Sequence, residues 1–313
     1  MNHGFEKGYR RAGRLLDALG SLSCFSTLAV AVLLQGCAQR ADSGTPVQAR
    51  TPILFVHGSG LDSGLWREMM DGLLSSGYSA EELLAVDLVP KDGSNPRAAR
   101  LLIAPAVERL LVQAREAALK RGQRPSQRID IVAHSMGAVS SRWYAAFIRP
   151  DLVRLWLGVA AANHGTDALC GFPGEGDREL CPAFARSSGD NPVQVRMNGT
   201  PERPLDVSPY GLGTDVRAME PVPASPTRCI AYFTVRLAVD EWIKPESSAE
   251  LDGAGGWELT ALETLPVLET GPGNFLFQAE TTHDELPRHP AMIEFVGALV
   301  HAADEQWLSR CGL

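Results

Sequence analysis

The sequence predicts an α/β fold, a mostly parallel central sheet flanked by helices, with one loop-rich insert. Three observations predict it. Short apolar runs alternate with stretches of helical spacing from Pro52 to Ala160, and strand-like runs return after Cys229; that alternation implies parallel strands joined by right-handed crossovers. The runs are apolar at successive positions rather than at every second one, as strands covered on both faces require. Finally, Ile129 to Ala133 reads as a strand that runs through His134 into Ser135 and Gly137, and helical spacing follows from Ala138 to Phe147. A strand, a sharp Ser-centred turn and a helix lift a hydroxyl above the sheet edge, where free N–H groups at the helix start favour developing negative charge.

Residues 1–40 read as a leader. Lys7, Arg10, Arg11 and Arg14 precede an apolar core, Leu22 to Leu34, which is short for a membrane span. Leu34-Gln35-Gly36-Cys37 then resembles a bacterial lipobox, which makes Cys37 the candidate lipidation site. Ordinary cleavage nearby and an uncleaved anchor are the alternatives. Export is expected, either as a periplasmic or outer-membrane lipoprotein or as a secreted protein. Residues 41–51 form a tether, and 52–313 one domain.

Pro52 to Val56 is the first strand, ending in His57-Gly58-Ser59-Gly60, a turn whose glycines let backbone approach closely. Leu65 to Ser76 carries helical spacing, Leu83 to Leu88 is the second strand, and Pro90 to Pro96 is loop. Arg97 to Arg121 is a long amphipathic helix in which Pro105 predicts a kink or a later start. After the Ser-centred turn and its helix, Val153 to Ala160 is another buried strand. Asn163 to Thr227 then breaks the rhythm with Gly, Pro, Asp and Arg and little periodicity beyond a short helix near Pro182 to Arg186. A stretch of this length is usually functional, so 167–227 reads as an insert or lid. Strands return at Cys229 to Val235 and Asn274 to Ala279, each followed by a loop (Asp240 to Pro245, Thr281 to Glu285), and Pro290 to Leu308 is a terminal helix.

The net charge of -8 argues against nucleic acid and anionic membrane surfaces as partners, leaving membrane contact to a lipid anchor at Cys37. Cys170, Cys181, Cys229 and Cys311 lie outside the leader. An even number in an exported chain suggests two bridges, with three pairings allowed. Cys170–Cys181, closing a local loop, and Cys229–Cys311, tying a late strand to the C-terminus, are preferred. His and acidic residues do not cluster at ligand spacing, so no metal is expected. The glycine turn fits neither a dinucleotide fingerprint nor a P-loop, so no cofactor is expected.

An activated Ser needs a base to take its proton and a carboxylate to orient that base. Such groups sit on loops beyond the carboxyl ends of strands. After Ser135, the acids that stand directly behind a strand are Asp240 and Glu241. Asp240, first off the strand, is preferred, and Glu241 is the alternative. Of His283, His289 and His301, His283 alone follows a strand. Ser135, Asp240 and His283 then stand in the nucleophile–acid–base order of α/β-hydrolases. Oxyanion donors are expected from the backbone N–H groups of Met136 and Ser59, supported by His57, Gly58, His134 and Gly137. His164 is expected to be structural.

Phe55-Val56-His57-Gly58, Ala133-His134-Ser135-Met136-Gly137 and Asn163-His164-Gly165-Thr166 resemble bacterial serine lipases of the A-H-S-M-G type, class 2-like members of the α/β-hydrolase superfamily. The resemblance covers Pro52 to Thr166 closely and Cys229 onward more loosely. It implies an α/β-hydrolase fold, a lipid or ester substrate, Ser135, Asp240 and His283 as a triad, and Ser59 and Met136 as oxyanion donors. Ala138 stands where a second Gly often follows, and the insert has no counterpart in the smallest members. Two other readings stay open: an extracellular polyester depolymerase of polyhydroxyalkanoate type, and a non-catalytic envelope binding protein of hydrolase fold.

Overall fold

In the computed structural model, the strands β1 (Ile53–Val56), β2 (Leu83–Val86), β3 (Ile129–His134), β4 (Val153–Val159), β5 (Ala231–Leu237), β6 (Leu268–Thr270) and β7 (Asn274–Phe277) form one sheet in the order β2-β1-β3-β4-β5-β7-β6. The structure describes residues 46–182, 191–198, 230–251, 268–270 and 273–311. The chain divides into two units, Met1–Gly44 and Thr45–Leu313. The first, with the expected leader and Cys37, lies outside the described residues, as does the expected helix beyond Pro182.

Every neighbouring pair in the sheet is parallel except β6 and β7. This is the expected α/β class. The edge strand β6 has no forecast in the sequence, because three residues are too few to carry a period. The chain runs from β1 outward to β2 and returns to β3 on the other side of β1. That reversal is a switch point, where loops from β1 and β3 diverge and leave a crevice. The register sets Val56 beside Ala133, Ala133 beside Gly158, and Val159 beside Val235. The loops that follow β1, β3, β4 and β5 therefore leave the same edge of the sheet.

Two apolar layers cover the sheet. Leu54, Val56, Ile131, Trp156 and Tyr232 pack with Val107 and Leu110 of α3 (Ala104–Lys120) and Val139 of α4 (Met136–Phe147). Ile53, Phe55, Val132, Leu157 and Phe233 pack with Met69 and Leu73 of α1 (Arg67–Ser75) and Phe295 and Leu299 of the C-terminal helix, Pro290–Cys311. Successive strand residues thus face opposite apolar layers, which is why the runs do not alternate with polar residues. One charged pair interrupts this pattern: Asp130 on β3 is ion-paired with Arg154 on β4, both buried, and Arg154 also reaches Asp304 of the C-terminal helix.

The long helix starts earlier than its apolar spacing suggests. α2 (Asn95–Ala98) leads through a π-helical turn, Ala99–Ile103, into α3. Pro105 has no N–H to give, and it sits directly after the π-helical turn, where the regular hydrogen-bond ladder is interrupted. The described part of the loop-rich insert contains two short helices, α5 (Glu175–Glu179) and α6 (Pro192–Asn198), neither at the expected position. Among the described residues no helix is long and apolar enough to cross a membrane.

Candidate active site

The site begins with backbone strain. β3 ends at His134, α4 begins at Met136, and Ser135 between them has φ 52° and ψ -123°. A side chain in that region is costly and persists only where the surroundings impose it. They do so here on two sides. Ser135 N–H donates to Val159 C=O on β4 at 3.0 Å. A Cβ at Gly58 would lie 2.8 Å from Ser135 Cβ, and one at Gly137 would lie 2.2 Å from His57 O and 2.7 Å from Val56 O. The glycine at 137 is therefore required by the backbone of the β1 exit.

The other predicted residues converge with a division of labour. His283 Nδ1 lies 2.9 Å from Asp240 Oδ2 and 3.0 Å from Oδ1. The carboxylate also accepts the Trp242 and Ile243 N–H groups at 2.8 and 2.9 Å. Glu241, the alternative acid, accepts the His283 backbone N–H at 3.0 Å. His134 Nε2 meets the His283 carbonyl at 3.0 Å, with the two rings 4.6 Å apart. His283 is thus held by its ring, its N–H and its C=O. A carboxylate at Nδ1 keeps the proton there and leaves Nε2 as the acceptor. No hydrogen bond joins the Ser135 hydroxyl to His283 in this structure; such contacts are often long before substrate binds.

Burial sets the charge states. It pushes the Asp240 carboxyl up, but His283 and the two amides outweigh it and hold the group below the usual carboxylate range. Burial drives the His134 imidazole well below its ordinary value, with His283 adding to the effect, and it lowers His57 as well. Both rings are neutral at pH 7.

His57 is wholly buried, with Nδ1 2.7 Å from Gly58 O and Nε2 accepting the Leu88 N–H at 2.9 Å. Among the described residues, the backbone N–H groups of Ser59 and Met136 meet no protein acceptor. His164 gives its backbone N–H to Ser248 C=O at 3.0 Å. His289 packs edge-on to Phe277, and His301 is exposed on the C-terminal helix.

His134, His283 and Asp284 bring ligand atoms within 4.8 Å of one another. Sequence spacing could not reveal this grouping, because His134 lies far from the other two along the chain. One nitrogen of each ring already serves the protein, at Asp240 and at the His283 carbonyl.

Part of the insert packs against the start of α4. The expected Cys170–Cys181 disulfide is formed. Cys229 lies outside the described residues, and so does the Cys311 side chain. Gly176 of α5 packs onto Met136, where a Cβ would stand 2.8 Å from the Met136 sulfur. Glu179 accepts from Ser94 Oγ, Asn95 N–H and Asn95 Nδ2 at 2.8, 2.6 and 2.8 Å, and the Ser140 hydroxyl of α4 bonds Asn95 Oδ1 at 2.7 Å. Sequence reasoning missed this anchor. Its legible half is Ser94-Asn95-Pro96, a helix-start signature.

A family model described as lipase (class 2) matches residues 50–171. Among solved structures, Aspergillus fumigatus lipase B is 13% identical over 84% of this chain and 57% of its own, with a TM-score of 0.50. Residues 50–171 are thus similar to class 2 lipases, and the fold is of the α/β-hydrolase type. The mature form of Bacillus licheniformis lipase BlEst2 is 16% identical over 82% of this chain and 94% of its own, at a TM-score of 0.45. Comparison with curated proteins gives no match. The class 2-like segment runs from the tether through β4 to Gly171. It contains the Ser135 turn and the His57–Gly60 loop, whereas Asp240 and His283 lie beyond it.

Proposed function

We propose that this lipase-like hydrolase is an exported serine esterase or lipase that cleaves carboxylic esters through an acyl-enzyme. The observation that carries the proposal is the Asp240–His283 pair, buried and directly hydrogen-bonded, delivered to the sheet edge that also presents the strained Ser135. His283 Nε2 takes the Ser135 proton as Oγ attacks the ester carbonyl. Asp240 keeps the imidazole in the tautomer that accepts at Nε2 and stabilises the cation it becomes. The Ser59 and Met136 amides receive the oxyanion, a geometry that needs donors free of protein partners. His283 returns its proton to the leaving alcohol. Water, deprotonated by the same ring, then releases the acid from Ser135.

Export is supported by the positively charged and apolar leader ending at Cys37 and by the Cys170–Cys181 disulfide, since such bridges persist in oxidising compartments. Attachment through a lipid on Cys37 is part of the proposal. The acyl chain is proposed to lie beside the docked insert segment next to Met136.

The test is hydrolysis of chromogenic esters from acetyl to palmitoyl by the wild-type chain and by Ser135→Ala. Turnover by wild type and its loss in Ser135→Ala, with unchanged thermal stability, is the expected result. Turnover by Ser135→Ala at the wild-type rate defeats the proposal.

A further inference from the structure

His57 joins two elements through two hydrogen bonds whose directions are forced. A backbone amide can only donate, so the Leu88 N–H at 2.9 Å requires Nε2 to be unprotonated. The ring's proton is then on Nδ1, which donates to Gly58 C=O at 2.7 Å. Burial, which lowers the proton affinity of this imidazole, acts in the same direction. The Gly58–Ser59 peptide is trans, and across a trans peptide C=O and N–H point opposite ways. Holding the Gly58 carbonyl towards His57 therefore turns the Ser59 N–H away from it. Leu61 N–H also reaches Gly58 O, but at 3.4 Å. Gly58 itself lies against Ser135, so the orientation of this one peptide decides whether a donor faces the oxygen of the reacting carbonyl.

We propose that His57 is a positioning residue for the oxyanion site. It acts through the Gly58–Ser59 peptide and uses Leu88, at the exit of β2, to select its tautomer. The proposal rests on the ester-hydrolase reading above. His57 touches no reacting atom. Its removal leaves the Ser59 amide in place but free to turn, so the loss falls on the tetrahedral intermediate and spares the ground-state ester.

The experiment compares His57→Phe, His57→Asn and His57→Gln with wild type in the full chain. It reads kcat and KM on a short-chain chromogenic ester, the Ki of an alkyl boronic acid that forms a tetrahedral adduct, and thermal stability. A side-chain amide at the β-carbon of Asn can replace the Nδ1 donor to Gly58, whereas the longer Gln replaces the Nε2 acceptor of Leu88. We expect His57→Phe to lower kcat about 10- to 100-fold, below the roughly 10²- to 10³-fold seen when a donor is deleted outright. KM should move less than about threefold, and the boronate Ki should weaken in step with kcat. His57→Asn should recover more kcat than His57→Gln. If His57→Phe fails to fold, the Asn-over-Gln order carries the test. Equal kcat in those two variants, or a kcat loss with unchanged boronate affinity, overturns the positioning role. With Ser135→Ala inactive, wild-type kcat in His57→Phe overturns this role alone; an active Ser135→Ala overturns the reading beneath it.

Discussion

Asp240 meets the His283 ring through both carboxylate oxygens, at 2.9 and 3.0 Å, while its neighbour Glu241 takes the His283 backbone N–H at 3.0 Å. Two adjacent acids thus grip one histidine by different atoms, and only one faces the ring. Asp240→Asn would present an amide that can donate to Nδ1 and favour the wrong tautomer. Turnover should fall by roughly 10³- to 10⁴-fold, as expected when a base loses its orienting carboxylate. Glu241→Gln keeps an acceptor for the backbone N–H and should stay within about tenfold of wild type. Steady-state kinetics of the two variants decides, and a larger loss in Glu241→Gln would exchange their roles.

The same pair sets an acid limit on stability. Asp240 is held below the usual carboxylate range despite its burial. A carboxylate depressed in the folded state contributes stability above its unfolded value, near pH 4, and loses it as the pH falls through the folded value. The gap in melting temperature between wild type and Asp240→Asn should therefore persist at pH 5 and shrink below about pH 4. A gap already absent at pH 5 would contradict the assignment of the shift to this pair.

Much of this site was legible before any coordinates, for reasons that differ by residue. β1 and β3 to β5 are nearly uninterrupted apolar runs because both faces are covered, so their ends could be located, and with them the loops that hold Ser135 and Asp240. Asp240 was preferred to Glu241 as the first acid off the strand, but the separate hold of Glu241 on the His283 backbone was not legible, since it depends on how each side chain turns. Nor were the clamps at His134 and His57, whose ring nitrogens bond backbone carbonyls and so leave no paired side-chain pattern in the chain. The anchor at Glu179 joins residues 84 positions apart, and one of three acids in a Gly- and Pro-rich stretch carries no periodic signal.

Strain at Ser135 predicts a trade between stability and turnover. Its φ of 52° lies where glycine is at ease and a side chain is not. Relieving such a conformation recovers about 1–3 kcal/mol, against about 0.5–1 kcal/mol lost to the greater freedom of unfolded glycine. Ser135→Gly should therefore be more stable than Ser135→Ala by about 1 kcal/mol in denaturant titrations, with both inactive. Equal stability would mean that the neighbouring packing, and not the turn, bears the strain.

On the opposite edge of the sheet, the buried Arg154–Asp130 pair is expected to govern stability without affecting chemistry. Both side chains are nearly inaccessible, and Asp304 completes the group. Removing one partner strands the other charge in the core, which costs about 3–5 kcal/mol. Arg154→Met should lose stability on that scale, while the double variant Arg154→Met/Asp130→Leu should regain much of it. Ester kinetics at a temperature where each variant is folded should stay near wild type. A double variant no more stable than Arg154→Met would show that the carboxylate was not the source of the penalty.

The last prediction concerns the insert, read from sequence as a candidate lid. Its first part is tied down: the Cys170–Cys181 disulfide closes a short loop, and Glu179 accepts three hydrogen bonds from Ser94 and Asn95. Burial raises the proton affinity of Glu179, and the bonds from Asn95 and Ser94 oppose that rise. Hydrogen bonds to a charged acceptor contribute about 1.5–3 kcal/mol each when removed with their partner left buried. Asn95 would be such a partner, because it is fully buried and bonded to Ser140 of α4. Glu179→Ala should thus loosen α5 from Met136 and reduce stability by about 2–3 kcal/mol. If this segment lines the acyl path, kcat/KM should fall more for long-chain than for short-chain esters. An equal fall across the series would place the acyl path elsewhere, while leaving the anchor's effect on stability intact.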